Sequence, residues 1–147
     1  MNPHLKIKEV MTREVLFVQP EDSMEKVNEI FQTHELHHLP VLDAEGRVVG
    51  IISKSDYYKL QDTFTLFSDE RAEACNEAIF RSLLVKEVMT RQVATLHPED
   101  EIQLAAAVFR ENLFHALPIV DDDRRLVGIL TTYDVLTYAF RDPLLIT

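Results

Sequence analysis

Val48-Val49-Gly50-Ile51-Ile52-Ser53-Lys54-Ser55-Asp56 returns as Leu126-Val127-Gly128-Ile129-Leu130-Thr131-Thr132-Tyr133-Asp134, with every position shifted by 78. Each copy is a short apolar run holding one glycine, then a hydroxyl residue, then an aspartate three residues on. A run of that length, rich in β-branched residues, predicts a buried strand. Ser53 or Thr131 then predicts a helix N-cap, with the carboxylate in the first turn. Two readings of that carboxylate stay open. As a cap, Ser-x-x-Asp is a capping box with Asp in place of Glu, accepting from a free backbone N–H. As a ligand site, the strand end and helix start would turn N–H groups and the positive helix dipole toward a phosphate. The aspartate would then accept both hydroxyls of a ribose. A lone Ser-x-x-Asp is usually a cap; its repetition with Gly in the same place brings the ligand reading alongside.

Working outward, residues 7–56 align on 85–134 without a gap, with 20 of the 50 positions identical. Lys8-Glu9-Val10-Met11-Thr12-Arg13 recurs at 86–91, Pro20-Glu21-Asp22 at 98–100 and Leu39-Pro40 at 117–118. The chain is a duplication. Each copy predicts strand, helix, strand, strand, helix. Val15–Val18 and Val93–Leu96 are the first strands, ended by Pro20 and Pro98. Asp22-x-x-Glu25 and Asp100-x-x-Gln103 look like capping boxes. Met24, Val27, Ile30 and Phe31 share one helical face, as do Ile102, Ala105, Val108 and Phe109. Leu39–Leu42 and Val48–Ile52 form a hairpin around Asp43-Ala44-Glu45-Gly46-Arg47; the second copy has Asp121-Asp122-Asp123-Arg124-Arg125 there and lacks the glycine.

The expected class is α+β, two β-α-β-β-α repeats packed with pseudo-two-fold symmetry, because a lone three-stranded sheet leaves an apolar face uncovered. The expected division is a first repeat over 1–64, a helical linker over 65–84 and a second repeat over 85–147. In the linker, Ser68-Asp69-Glu70 reads as a helix start, and Ala72, Cys75, Ile79, Ser82 and Leu83 form a narrow apolar stripe after Phe64, Leu66 and Phe67. Ligands are expected in the clefts between repeats.

The 147 residues can bury a real core without staples. One cysteine, Cys75, excludes an intrachain disulfide and fits a reducing, cytoplasmic setting. No apolar run is long enough to span a membrane, and no signal-peptide pattern is present. The net charge is −10 and no basic stripe is visible, which excludes nucleic acid as the expected partner. His34, His37, His38 and His115 invite a metal, but the segment runs from helix into strand and brings no spaced acid or thiol; no metal site is expected. Asp121-Asp122-Asp123 reads as a solvated turn, since no spaced Glu completes a calcium loop. Paired carboxylates, a Gly-rich phosphate loop and a nucleophile elbow are absent, so no catalytic residue is expected.

The order Val-Met-Thr, strand, Pro-Glu-Asp, Leu-Pro-Val/Ile and Gly-h-h-Ser/Thr-x-x-Asp, with h apolar, resembles the cystathionine-β-synthase (CBS) domain, present as a tandem pair over 7–64 and 85–140. The resemblance implies a regulatory module that binds AMP, ADP, ATP or S-adenosylmethionine, with no cofactor, and often dimerises as a flat disc. It implies that Asp56 and Asp134 take the ribose diol and that Ser53 and Thr131 lie beside ribose or phosphate. It implies adenine pockets at Val15, Phe17, Pro40 and Val41, and at Val93, Thr95, Pro118 and Ile119, with His38 a further lining residue. Phe17 departs from the Thr common at its position. Lys54 stands opposite Thr132, and an ammonium there would favour a di- or triphosphate, unless it is a solvated helix residue. The expected role is nucleotide and energy sensing by a homodimer. The alternative is a dimerisation or docking module for a separate effector protein, in which the aspartates only cap helices.

Overall fold

The computed structural model of the chain describes residues 1–64 and 78–140. The linker positions 65–77, with Leu66, Phe67, Ala72 and Cys75, lie outside them. Contacts divide the chain into two units, and each draws on both sequence repeats. A central unit runs from Leu16 to Gln92; a terminal unit joins Met1–Val15 to Val93–Thr147. This cut falls inside the repeats, whereas the sequence alignment divides the chain at its linker.

The central unit holds α1 (Met24–Thr33), β1 (His38–Leu42), β2 (Val48–Ser53), α2 (Lys54–Phe64), helical residues 78–82 and α3 (Val85–Val88). The terminal unit holds a 3-10 turn (Ile7–Glu9), α4 (Ile102–Arg110), β3 (Ala116–Val120), β4 (Leu126–Thr131) and α5 (Thr132–Phe140). β1 pairs antiparallel with β2, and β3 with β4, in matching registers: Val41 faces Gly50 and Ile119 faces Gly128.

The predicted first strands shrink to single parallel bridges, Val18 to Val41 and Leu96 to Ile119. Prolines set that limit. Val18 donates to the Pro40 carbonyl at 3.1 Å and accepts from Leu42 N–H at 2.9 Å. Extending this ladder one way would need an N–H from Pro40, and the other way one from Pro20; neither has one. Pro118 and Pro98 stop Leu96 in the same manner.

The opposite edge of each hairpin is closed by the other repeat's Val-Met-Thr segment. Thr90 exchanges two hydrogen bonds with Ile51 (2.9 and 3.0 Å), and Thr12 two with Ile129 (both 2.9 Å). The approach is close enough to dictate glycine. A Cβ on Gly50 would lie 2.5 Å from Met89 Sδ and 3.1 Å from the Thr90 carbonyl oxygen; on Gly128 it would lie 2.6 Å from Met11 Sδ and 3.0 Å from the Thr12 oxygen. Met11 and Met89 are themselves buried. Neighbouring backbone bonds continue the seam: Val85 N–H to Asp22 and Lys86 N–H to Pro20 in the central unit, Ile7 N–H to Asp100 and Lys8 N–H to Pro98 in the terminal one. In the terminal unit Lys6 (2.5 Å) and Lys8 (2.7 Å) also grip the Glu99 carboxylate. Their hydrogen bonds hold its pKa down at about 2. The clasp is therefore complete above the ordinary carboxylate value of 4.5 and is released as pH falls through about 2.

Two separate cores result. Val18, Met24, Val27, Phe31, Leu39, Val41 and Ile52 anchor the central one; Ile7, Met11, Ala105, Leu117, Ile119 and Leu130 anchor the other. From the expected linker stripe, Ile79 and Leu83 are half-buried and Ser82 is exposed, while Phe80 enters the core. Phe80 meets Tyr57 with ring centroids 5.6 Å apart. Burial pushes the Tyr57 phenol pKa up, and its O–H donates to Asn28 Oδ1 at 2.5 Å.

The expected capping boxes at Asp22 and Asp100 do not form. Ser23 caps α1, accepting from Lys26 N–H, and Glu101 precedes α4 without a side-chain cap bond. Asp22 and Asp100 instead accept from Gln19 and His97 N–H, at 2.7 and 2.8 Å, bracing the proline turn. The hairpin tips follow one plan. Asp43 and Asp121 each accept from two turn amides, and the left-handed position is Gly46 in one copy (φ 82°) and Arg124 in the other (φ 66°). Asp121 thus organises its turn as Asp43 does.

Gly50→Ala should cost about 1–3 kcal/mol in urea unfolding, the range for overpacking a filled core. Gly50→Ala and Met89→Ala together should cost less than the sum of the two single changes, because truncating Met89 makes room for the added methyl. Strict additivity of the two changes would contradict the close-packed seam.

Candidate functional site

The repeated motif folds into the same turn in both units. At the end of β2, Ser53 Oγ accepts from Asp56 N–H at 3.0 Å while Ser53 N–H donates to Asp56 Oδ2 at 3.4 Å. At the end of β4, Thr131 Oγ1 accepts from Asp134 N–H at 3.1 Å and Thr131 N–H donates to Asp134 Oδ2 at 2.9 Å. This is a reciprocal capping box. The next amide is capped by backbone: Lys54 N–H donates to the His37 carbonyl (2.7 Å) and Thr132 N–H to that of His115 (3.1 Å). The recurrence of His37 as His115 was the available signal for that contact, which involves the main chain and not the imidazoles.

The cap leaves room for chemistry. Its recorded bonds use Oδ2 of each aspartate, and a carboxylate carries about four lone-pair sites on two oxygens. Ser53, Asp56, Thr131 and Asp134 are all half-buried, reachable from solvent yet fixed in place. The following first-turn residues, Ser55 and Tyr133, are exposed, and first-turn amides are the ones a helix leaves for water or a ligand.

The other expected residues divide by burial. His38 is half-buried and stands directly across from Ser53 on the neighbouring strand. Phe17 is 47% exposed. Val93 and Thr95 are half-buried in the terminal unit, to which half-buried Val15 also belongs, while Phe17 falls in the central unit. Pro40 and Pro118 are buried, and Val41 and Ile119 are fully enclosed in the two cores. Each of the last two is part of its own unit's core. The Lys54 ammonium lies 5.9 Å from the centre of the Tyr58 ring, a cation–π distance. With His37, Ser55 and Lys59 these two line an open depression at the start of α2. A second depression, at the start of α4, is lined by Glu99, Asp100 and Glu101 and has the wrong sign for a phosphate. Among the described residues no three His, Cys, Asp or Glu side chains gather as a metal site, and no helix is long and apolar enough to cross a membrane.

Residues 7–62 and 85–141 each match the CBS domain family. Inosine-5'-monophosphate dehydrogenase of Methanocaldococcus jannaschii is 31% identical over 131 residues, 89% of this chain and 23% of that protein. The crystal structure of CBSX2 in complex with AMP, a CBS-pair protein from Arabidopsis thaliana, is 25% identical with a TM-score of 0.75 over 92% of this chain and 96% of that one. The CBS domain pair of protein MJ0100, in complex with 5'-methylthioadenosine and S-adenosyl-L-methionine, is likewise 25% identical with a TM-score of 0.75, covering 95% and 100%. The chain spans 23% and 46% of the length of two curated relatives it matches.

Thr131→Ala should lower stability by about 1 kcal/mol, the usual worth of an N-cap side chain. Thr131→Ser, which keeps the hydroxyl, should retain most of it; equal losses in the two variants would contradict the cap.

Proposed function

This chain belongs to the CBS domain family, and from that premise we propose that it is a regulatory module that binds an adenosyl compound and answers by a change of conformation or assembly. The carrying observation is the twice-formed Ser/Thr-x-x-Asp turn, half-exposed and preorganised, on a fold shared with pairs solved with AMP and with S-adenosyl-L-methionine. Asp56 and Asp134 would take the ribose diol through the oxygen the cap leaves over. Ser53 and Thr131, with the first-turn amides, would face ribose or phosphate. Phe17 and His38 in the first repeat, and Val93 and Thr95 in the second, are the accessible candidates against adenine. The role is regulatory and no catalytic residue is assigned. A second copy of the chain and a separate effector protein are the proposed macromolecular partners, with adenylate balance as the sensed quantity if phosphate number is discriminated.

The two sites would differ. Lys54 lies in a depression that also holds His37 and Lys59, whereas the second repeat has Thr132 at the matching place. An ammonium there adds attraction for each extra phosphate charge, so the first site would favour ADP or ATP over AMP.

One observation favours the alternative of a docking module: the aspartates do form caps, and capping alone accounts for their presence. Asp134→Asn and Asp56→Asn separate the two, since an amide oxygen keeps the cap acceptor but removes the second carboxylate oxygen. A thermal-shift panel of AMP, ADP, ATP and S-adenosylmethionine is the test. A ligand at 100 times its Kd adds about 2.7 kcal/mol. The shift should shrink in the Asn variants while unliganded stability holds. A flat panel on folded protein would reject the sensor. Lys54→Ala should lower the ATP-to-AMP affinity ratio about tenfold, equivalent to ~1.4 kcal/mol.

A further inference from the structure

The last helix of each repeat is held by the segment that precedes the other repeat, and the two units do this with different chemistry. At the offset of 78, Phe80 corresponds to Asn2, Tyr57 to Val135 and Leu60 to Tyr138. In the central unit the hold on α2 is apolar: Phe80 is buried and packs on Tyr57. In the terminal unit it is polar. Asn2 N–H donates to Tyr138 Oη at 3.1 Å, and the Tyr138 O–H donates to the Asn2 carbonyl at 3.2 Å, across 136 positions of sequence. Tyr138 is the buried residue of α5, whereas residues 1–4 are all exposed.

The same segment caps α4. Asn2 folds it into a turn, its Oδ1 accepting from His4 N–H at 3.0 Å and its carbonyl from Leu5 N–H at 3.3 Å. The Leu5 and Pro3 carbonyls then accept from Ile102 and Gln103 N–H, at 2.7 and 3.2 Å. Glu101 makes no side-chain cap bond, so these carbonyls do the capping. Two ion pairs add to the hold, His4 to Glu101 at 2.8 Å and Lys6 to Glu99, all between exposed side chains. Exposed pairs contribute little and single hydrogen bonds modestly. Residues 2–6 can therefore lift away without unfolding the core. Their counterpart at Phe80 cannot, since it would expose buried apolar surface. Asp134 and Tyr138 stand four residues apart, on one face of α5. That face begins in the ribose ligand of the proposed function and ends in the group that holds the N-terminal segment.

We propose that Tyr138 is a positioning residue for the second-repeat turn: it latches residues 2–6 onto α5 and α4, and occupation of the Thr131–Asp134 turn closes that latch. The inference rests on the proposed nucleotide site and adds its regulation. A latched α5 has less freedom left to lose when a ligand fixes its first turn, and the converse holds equally. Ligand and latch thus favour one another.

Backbone amide exchange at Ile102 and Gln103, on the full chain, reads the latch away from the ligand turn. Tyr138→Phe keeps the ring and removes the hydroxyl, so the variant should fold. Without ligand, both amides should exchange on the order of tenfold faster in the variant, about the worth of one hydrogen bond. Met24 N–H, capped by the Leu83 carbonyl in the central unit, should be unchanged. AMP, ADP, ATP and S-adenosylmethionine are then added in turn at saturation. In the wild type a compound that binds should slow Gln103 about fivefold, the low end of measured couplings. In Tyr138→Phe that slowing should vanish and the affinity should fall with it. Equal exchange in the two unliganded proteins overturns the latch. A compound that binds without slowing Gln103, or slows it equally in the variant, overturns the coupling and leaves nucleotide binding standing. Binding by none of the four overturns the coupling together with the nucleotide reading.

Discussion

The backbone of a Met-Thr pair lying across a strand glycine is the contact on which each unit depends. Thr90 pairs with Ile51 and Thr12 with Ile129, and the methionine before each threonine fills the space a side chain at Gly50 or Gly128 would take. Bonded on one edge by the partner strand and on the other by the threonine, β2 and β4 have no bare edge at their centres. Because the covering segment comes from the other repeat, neither half of the sequence contains a complete unit. The duplication is thus a requirement of packing: each copy supplies the piece that the other needs.

That frame delivers the turn at the end of the strand. Gly50 and Gly128 fix how β2 and β4 are held, and the Ser/Thr-x-x-Asp box begins three residues later. The reciprocal cap costs the aspartate one oxygen and orders the helix start before any ligand arrives, so less ordering is left to occur on binding. Capping and ribose recognition are therefore compatible uses of one side chain. The two turns are alike in backbone and differ in surroundings. Lys54 and Tyr57 belong to the first repeat's helix, where Tyr57 packs on Phe80 and donates to Asn28 of α1, while Val135 stands at the place of Tyr57 in the second's.

Much of this was legible in the residues. The offset of 78 revealed the duplication, and the apolar runs, Asp-bearing helix starts and hairpins fell where periodicity put them. Local pattern could not show that Lys-Glu-Val-Met-Thr-Arg crosses to the other repeat, because a pairing between distant segments leaves no periodicity. The glycine within each strand was the available sign, since an invariant gap in a buried strand marks close backbone approach. The composition of Val15–Val18 and Val93–Leu96 suits a strand, but prolines on both sides of the ladder remove the donors and leave single bridges. Asp22 and Ser23 both have cap chemistry, and Ser23 takes the role because the Asp22 carboxylate is committed to its own turn. Motif position makes Val41 and Ile119 lining candidates but does not say which way a strand residue faces, and both side chains are part of their units' cores.

The most direct test of a nucleotide site built on these caps is a ¹⁵N–¹H titration of the full chain with AMP, following the backbone amides. Binding as described predicts saturable shifts concentrated at Ser53, Lys54 and Ser55 or at Thr131, Thr132 and Tyr133, weakened in the matching Asp→Asn variant. Saturable shifts that leave both turns untouched, or none at millimolar AMP, would contradict it.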